Sequence, residues 1–178
     1  DTVIEGRDYE APLMAVVNRY AEIQRDLDLP EAVVSQIEAD LRSRIDACGE
    51  NFLQFMDLMK ASGEDNSAKI IAEAFTKRGY PAVYVNPGEA GMLLSDEFGN
   101  AEVLPESYER LAALKEESRI VIFPGFFGCT QAGEVATFPR GGSDITGAIL
   151  AAAVKADVYE NFTDVDSVYA MDPRIMPS

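Results

Sequence analysis

The spacing of apolar residues changes about halfway along this chain of 178 residues, and the change limits the folds that it can adopt. Up to Lys77, apolar residues recur every three or four positions, which is typical of amphipathic helices. From Ala82 onward, short β-branched runs alternate with further helical patterns. Such alternation predicts an α/β sandwich with a mostly parallel sheet, in which ligands bind beyond the carboxyl ends of the strands.

The first part of the chain predicts four helices, over residues 10–27, 30–46, 52–59 and 67–77. Between the third and fourth of these, Ser62-Gly63-Glu64 has the composition of a capping sequence before a helix. Gly79 is expected to end the fourth helix, since glycine readily adopts the left-handed conformation found after helices.

The second part predicts strands at residues 82–85, 91–95, 120–123, 135–138 and 158–162, with helices at 108–115 and 144–155. The β-branched run at 120–123 is typical of a buried parallel strand. Ser143 or Asp144 is expected to cap the last helix, because both side chains can accept a hydrogen bond from its first turn.

Charge and residue usage exclude several classes of function. The 31 acidic residues outnumber the 15 basic ones, giving a net charge of −16, which argues against nucleic-acid and membrane partners. The chain has no histidine, which excludes a histidine-based triad and a histidine metal site, and we predict no metal ligands. Two distant cysteines and the lack of a membrane-length apolar run favour a reduced, cytoplasmic protein.

The segment Arg140-Gly141-Gly142-Ser143-Asp144 carries the clearest chemical signal. A glycine-rich turn that opens a helix presents backbone N–H groups able to hold an anion. An arginine adds a planar set of donors that matches a carboxylate or a phosphate. Two further segments follow predicted strands, the glycine-rich loop 124–128 and the polar cluster 163–174.

Together these motifs resemble those of the aspartokinases, within the amino-acid kinase superfamily. The resemblance implies the three-layer αβα sandwich of the amino-acid kinase fold. It assigns Arg140 to the substrate α-carboxylate, Glu64 to its ammonium group, Ser143 and Phe126 to further substrate contacts, and Asp144 to the catalytic centre. The chain has Phe138-Pro139 where the family usually has Leu-Gly.

The same resemblance assigns the polar cluster to the nucleotide. Thr163, Asp164 and Tyr169 would contact adenosine, and Arg174 the phosphates. Phe162 stands where the family usually has tryptophan. Variants of this segment occur in other amino-acid kinases, so it identifies the superfamily better than the substrate.

The implied activity is ATP- and Mg²⁺-dependent phosphorylation of the β-carboxylate of L-aspartate to 4-phospho-L-aspartate, the first step of lysine, threonine and methionine biosynthesis. The acceptor is already an anion at neutral pH, because an unperturbed aspartate has a pKa of about 3.9. No general base is then required, which fits a chain without histidine. The family commonly forms homodimers, and a homodimer is expected here.

The resemblance also implies a partial catalytic domain, truncated at both ends. Residues 1–60 correspond to a variable helical region, and residues 61–178 carry the substrate and nucleotide motifs. The Lys-x-Gly-Gly segment that opens the family's domain and its regulatory ACT domains are absent. Two alternatives stay open: another amino-acid kinase, acting on glutamate, carbamate or a nucleotide, and a non-catalytic fragment or subunit that keeps the fold.

Overall fold

The structure, a computed structural model, describes residue 3 and residues 5–162 of the chain. Six α-helices and four short strands lie in these residues: α1 (Glu10–Asp26), α2 (Ala32–Asp46), α3 (Phe52–Lys77), β1 (Ala82–Tyr84), α4 (Pro87–Ala90), α5 (Glu106–Leu111), β2 (Ile120–Ile122), β3 (Phe127–Cys129), β4 (Val135–Thr137) and α6 (Gly142–Val154). A 3₁₀ turn, Ala112–Glu116, extends α5.

The strands form two pairs. β1 and β2 pair in parallel, with Ala82 opposite Ile120 and Tyr84 opposite Ile122. β3 and β4 form an antiparallel hairpin, with Gly128 opposite Ala136. The α/β class and the parallel pairing predicted from the sequence are therefore confirmed, and the predicted helices α1, α2, α5 and α6 are present within a few residues of their expected ends.

The third and fourth predicted helices are one continuous helix, so Ser62-Gly63-Glu64 lies inside a helix although it has the composition of a capping sequence. The Ser62 hydroxyl instead donates a 2.6 Å hydrogen bond to the Met59 carbonyl of its own helix. Packing explains why the helix continues. Ala61, Asp65 and Ala68 are all buried, and they lie in and around the stretch where the local sequence suggested a break between two helices. The predicted glycine end at Gly79 is confirmed, with φ of +84°.

Four expectations about strands need correction. Residues 91–95 form only isolated bridges, from Leu93 to Cys129 and from Leu94 to Val103. Residues 158–162 are irregular, and β3 lies in a segment predicted to be a loop. β2 is less buried than predicted, since Ile120 is 42% exposed.

The described residues form two hydrophobic clusters, and helix α3 contributes to the first of them. The first cluster lies among α1, α2 and the second half of α3, and consists of Leu13, Val17, Leu29, Val33, Ile37, Leu41, Ile45, Ile70 and Ala74. The second lies beneath α6 and includes Met92, Leu94, Leu111, Ala136, Phe138 and Ile149. α3 packs against α2 on one side and against β1, β2 and β4 on the other.

A buried charge network ties α2, α3 and β1 together. Asp65, only 1% exposed, accepts hydrogen bonds from Arg44 (2.6 Å), Lys69 (2.8 Å) and the Tyr84 hydroxyl. Arg44 also pairs with Asp40 at 2.8 Å. Burial raises the pKa of the Tyr84 phenol, and its hydrogen bond to the Asp65 carboxylate raises it further.

Within the part of the chain that the structure describes, no helix combines the length and the apolar composition needed to cross a membrane.

Candidate functional site

A cavity of about 340 Å³ lies where β4 leads into α6. Its lining comes from α3, from the loops on either side of the β3–β4 hairpin and from the first turn of α6. The lining residues are Lys60, Gly99, Phe126, Thr137, Phe138, Pro139, Arg140, Gly141, Gly142, Ser143 and Asp144. The structure thus brings four predicted site residues around one space: Phe126, Arg140, Ser143 and Asp144.

The start of α6 is set by a glycine. Gly141 has φ of +86° and precedes the helix without any side-chain cap. The expected cap by Ser143 or Asp144 is therefore wrong, and both residues lie inside the first turn, exposed to solvent. Because the first N–H groups of a helix have no partner within it, this turn and the adjacent Arg140 can together bind an anion.

The loop before β3 packs directly on that first turn. Phe126 has φ of +60°, which is unusual for a residue with a side chain. Its N–H donates to the Thr146 hydroxyl at 3.0 Å, and its carbonyl accepts from the N–H of Phe138 at 2.9 Å. These two bonds hold Phe126 in its strained conformation at the cavity wall. Strained backbone conformations of this kind are often found at binding sites.

Two glycines permit this close approach. A Cβ at Gly125 would lie 2.8 Å from the Ser143 hydroxyl oxygen, and one at Gly142 would lie 2.7 Å from the Cβ of Phe138. Neither space can accept a methyl group unless the loop moves away from α6. The glycines therefore let the loop and the helix share one wall of the cavity.

Two residues of the cavity lining, Gly99 and Thr137, are held by Asp57, a residue that the sequence interpretation missed. Asp57 is 1% exposed and accepts hydrogen bonds from the Gly99 N–H (2.7 Å), the Thr137 N–H (2.8 Å) and the Thr137 hydroxyl (2.9 Å). The bonds attach α3 to β4 at the edge of the cavity. The sequence signal that could have identified Asp57 is a carboxylate within the apolar helical pattern of residues 52–59.

Lys60 is the second residue that the sequence interpretation missed. It follows Asp57 by one helical turn and lines the cavity, so that the lining contains two cations, Lys60 and Arg140, and one carboxylate, Asp144. All three side chains belong to exposed residues. This combination suits a ligand that carries more negative than positive charge.

The remaining predicted residues lie elsewhere. Glu64 is exposed on α3, one turn beyond Lys60, and does not contribute to the cavity lining. Thr163, Asp164, Tyr169 and Arg174 lie outside the described residues. The segment that precedes them returns to α6, where the Tyr159 hydroxyl contacts the Asp144 carbonyl at 3.4 Å.

No cluster of three or more Cys, Asp or Glu residues arranged to bind a metal ion occurs among residues 5–162. A separate cavity of about 380 Å³ lies between α2, α3 and β1, beside Lys69 and Tyr84. None of the predicted site residues lines it. The cavity at the start of α6 is therefore the candidate site.

Known proteins match the chain along most of its length. The family model described as "Amino acid kinase family" matches residues 14–178. Aspartokinase 3 of Bacillus subtilis (strain 168) is 52% identical over 162 residues, which are 91% of this chain and 36% of that protein. Aspartate kinase of Pseudomonas fluorescens (strain SBW25) is 34% identical over 177 residues, which are 99% of this chain and 40% of that protein.

A solved structure agrees with these relatives. E. coli aspartokinase III in complex with aspartate and ADP (R-state) superposes with a TM-score of 0.77 at 29% identity, covering 92% of this chain and 38% of that one. The chain thus spans well under half the length of the proteins that it matches. The resemblance to aspartokinases is confirmed, and the chain belongs to the amino acid kinase family.

Proposed function

We propose that this chain forms part of the catalytic domain of an aspartokinase, which transfers the γ-phosphoryl group of ATP to the β-carboxylate of L-aspartate. The observation that carries the proposal is the single cavity around which Arg140, Ser143, Asp144 and Phe126 meet. The 52% identity to Aspartokinase 3 supports the choice of acceptor, and it disfavours a glutamate, carbamate or nucleotide kinase.

The chief difficulty of this reaction is electrostatic, because a carboxylate must approach a triphosphate. Positioning and charge neutralisation are the expected sources of catalysis in phosphoryl transfer. Arg140 would hold the α-carboxylate with its planar donors, and the Ser143 hydroxyl would add a hydrogen bond. Phe126 would close the cavity against water, leaving the β-carboxylate aimed at the phosphoryl group.

Glu64 would bind the substrate ammonium group from α3. It lies one helical turn beyond Lys60 on α3, although it does not itself line the cavity. Opposite charges at Arg140 and Glu64 would orient the two ends of the amino-acid backbone. This pair of contacts would distinguish an amino acid from a simple dicarboxylate.

ATP and Mg²⁺ would enter beside Asp144. The exposed Asp144 carboxylate would organise the phosphoryl centre, and Mg²⁺, carried by the nucleotide, would neutralise phosphate charge. Thr163, Asp164, Tyr169 and Arg174 would bind the nucleotide. The contact of Tyr159 with the first turn of α6 supports this location, because Tyr159 lies four residues before Thr163 in the sequence.

The same proposal includes the division of the chain into regions, the cellular location of the protein and its oligomeric state. Residues 1–60 would form the variable helical region and residues 61–178 would carry the motifs, although α3 runs through the boundary. The protein would act as a cytoplasmic homodimer, and its product would supply lysine, threonine and methionine biosynthesis.

The proposal is tested by trapping the acyl phosphate with hydroxylamine. The protein at its natural length is incubated with Mg·ATP and either L-aspartate or L-glutamate, and the hydroxamate is measured. We expect product with aspartate and a background signal with glutamate. Product with glutamate alone would overturn the assignment of aspartate as the acceptor. A background signal with both amino acids would contradict the proposed kinase activity.

A further inference from the structure

Lys60, like Arg140, is a cation in the cavity lining for which the described structure provides no ion pair. We infer that Lys60 is a second acceptor-binding cation, which shares the substrate α-carboxylate with Arg140. The inference rests on the proposed aspartokinase function and adds to it a residue that determines affinity for the acceptor.

Lys60 is the only basic residue of helices α2 and α3 without an ion pair among the described residues. Acidic residues outnumber basic ones by 31 to 15, and arginines and lysines elsewhere on α2 and α3 pair with them, as Arg44 and Lys69 do with Asp65. Two carboxylates lie within helical reach of Lys60. Asp57, three residues earlier, is occupied by Gly99 and Thr137, and Glu64, four residues later, forms no ion pair with it.

The position of Lys60 is fixed although its side chain is exposed. The three hydrogen bonds to Asp57 attach the preceding turn of α3 to the N–H groups of Gly99 and Thr137 and to the Thr137 hydroxyl. Both of those residues also line the cavity, so the base of the lysine is held at the cavity edge. The backbone of Lys60 is therefore in place before an anion binds, and binding has only to order the side chain.

The α-carboxylate is the better ligand for this cation than the β-carboxylate. The β-carboxylate is the nucleophile, and a lysine bonded to it would draw away the electron pair that attacks phosphorus. The α-carboxylate keeps its charge throughout the reaction. A contact with it stabilises ground state and transition state equally, and so lowers KM without raising kcat.

The test is steady-state kinetics of the natural-length protein with Lys60→Met. We expect the KM for L-aspartate to rise roughly tenfold or more, the loss expected for a hydrogen bond between charged groups. The kcat and the KM for ATP should stay near their original values. Lys60→Arg should restore much of the affinity, and Lys115→Met, at another exposed lysine, should change nothing.

Asparagine, which keeps the α-carboxylate but lacks the β-carboxylate, identifies the carboxylate involved. Its inhibition constant against aspartate should rise in Lys60→Met by the same factor as the KM. An unchanged inhibition constant would overturn the assignment to the α-carboxylate, and an unchanged aspartate KM would overturn the binding role while leaving the kinase activity intact. If the unmodified protein forms no aspartyl hydroxamate, the proposed function fails and this inference fails with it.

Discussion

Arg140 lies exposed at the edge of the cavity, directly before the glycine that opens α6. Its guanidinium is available to a ligand, because no ion pair within the described residues occupies it. An exposed arginine contributes little to stability, so a substitution here should affect binding far more than folding.

Arg140→Ala should therefore raise the KM for aspartate by roughly ten- to hundredfold, the range expected for charge-assisted hydrogen bonds. The KM for ATP should change little. Initial-rate kinetics with each substrate varied in turn measures both constants, and Arg19→Ala, on the surface of α1, serves as the control. Equal losses for aspartate and ATP would contradict the assigned contact.

Asp144→Asn should lower kcat rather than raise the KM for aspartate. If this carboxylate organises the phosphoryl group and its metal ion, the amide should lower kcat by at least about a hundredfold and leave the aspartate KM within a few-fold, as is expected for an interaction made only in the transition state. Single-turnover measurements with saturating substrates check this directly. A kcat near that of the unmodified protein would remove Asp144 from the mechanism.

At the scale of single residues, the sequence identified the cavity residues that stand together in one motif. Arg140, Ser143 and Asp144 are contiguous, so local chemistry was enough to group them. Asp57 was not found, because its partners Gly99 and Thr137 lie 42 and 80 positions away along the chain. Contacts of that kind become visible only when the fold brings the segments together.

At the scale of elements, α3 shows how packing overrides local signals. Gly63 and Ser62 both favour an interruption, yet the helix continues through them for 26 residues. By contrast, α1 and α2 were predicted almost to the residue, because their periodic apolar faces coincide with the buried faces. The hairpin strand β3 was not predicted, because the Gly-Phe-Phe-Gly sequence at its start is typical of a turn.

A substitution at Gly63 measures the cost of keeping a glycine in the middle of α3. It is exposed in the middle of α3, and a Cβ added there would meet nothing within 4 Å. Gly63→Ala should therefore stabilise the protein by about 0.5–1 kcal/mol, the usual difference between the two residues inside a helix. Urea denaturation followed by circular dichroism gives the free energy of unfolding.

Gly142→Ala is the matched comparison, because its Cβ would lie within 3 Å of both Phe138 and Phe126. That substitution should lower the free energy of unfolding by about 1–3 kcal/mol, as overpacking commonly does. A destabilised Gly63→Ala protein would mean that the centre of α3 is not a regular helix.

At the scale of the whole molecule, the buried network around Asp65 joins the helical cluster to the strands. Tyr84 donates to Asp65 from β1, while Arg44 and Lys69 donate from α2 and α3. Because the pKa of Tyr84 is raised in the folded protein, the neutral phenol is favoured there. Its contribution to stability is complete below the ordinary tyrosine pKa of about 10 and is lost progressively as the pH rises above that value.

Tyr84→Phe should consequently flatten the fall in stability at high pH. At pH 8 the variant should be less stable by about 1 kcal/mol, the net value of a typical hydrogen bond. Between pH 8 and pH 11 it should lose less stability than the unmodified protein does. Urea unfolding at the two pH values measures the difference, and Tyr108→Phe, at an exposed tyrosine, should keep the original pH dependence.

The long span of α3 also decides where this polypeptide can be divided. Its first half carries Asp57, which holds the cavity wall, and its second half carries Asp65 and Ile70, which belong to the charge network and the helical cluster. Two co-expressed pieces separated near Gly49 would each keep their helices whole and could reassemble. A separation near Gly63 would cut the helix between these two halves, so permuted or split versions of the protein should place their new ends in the loop before α3.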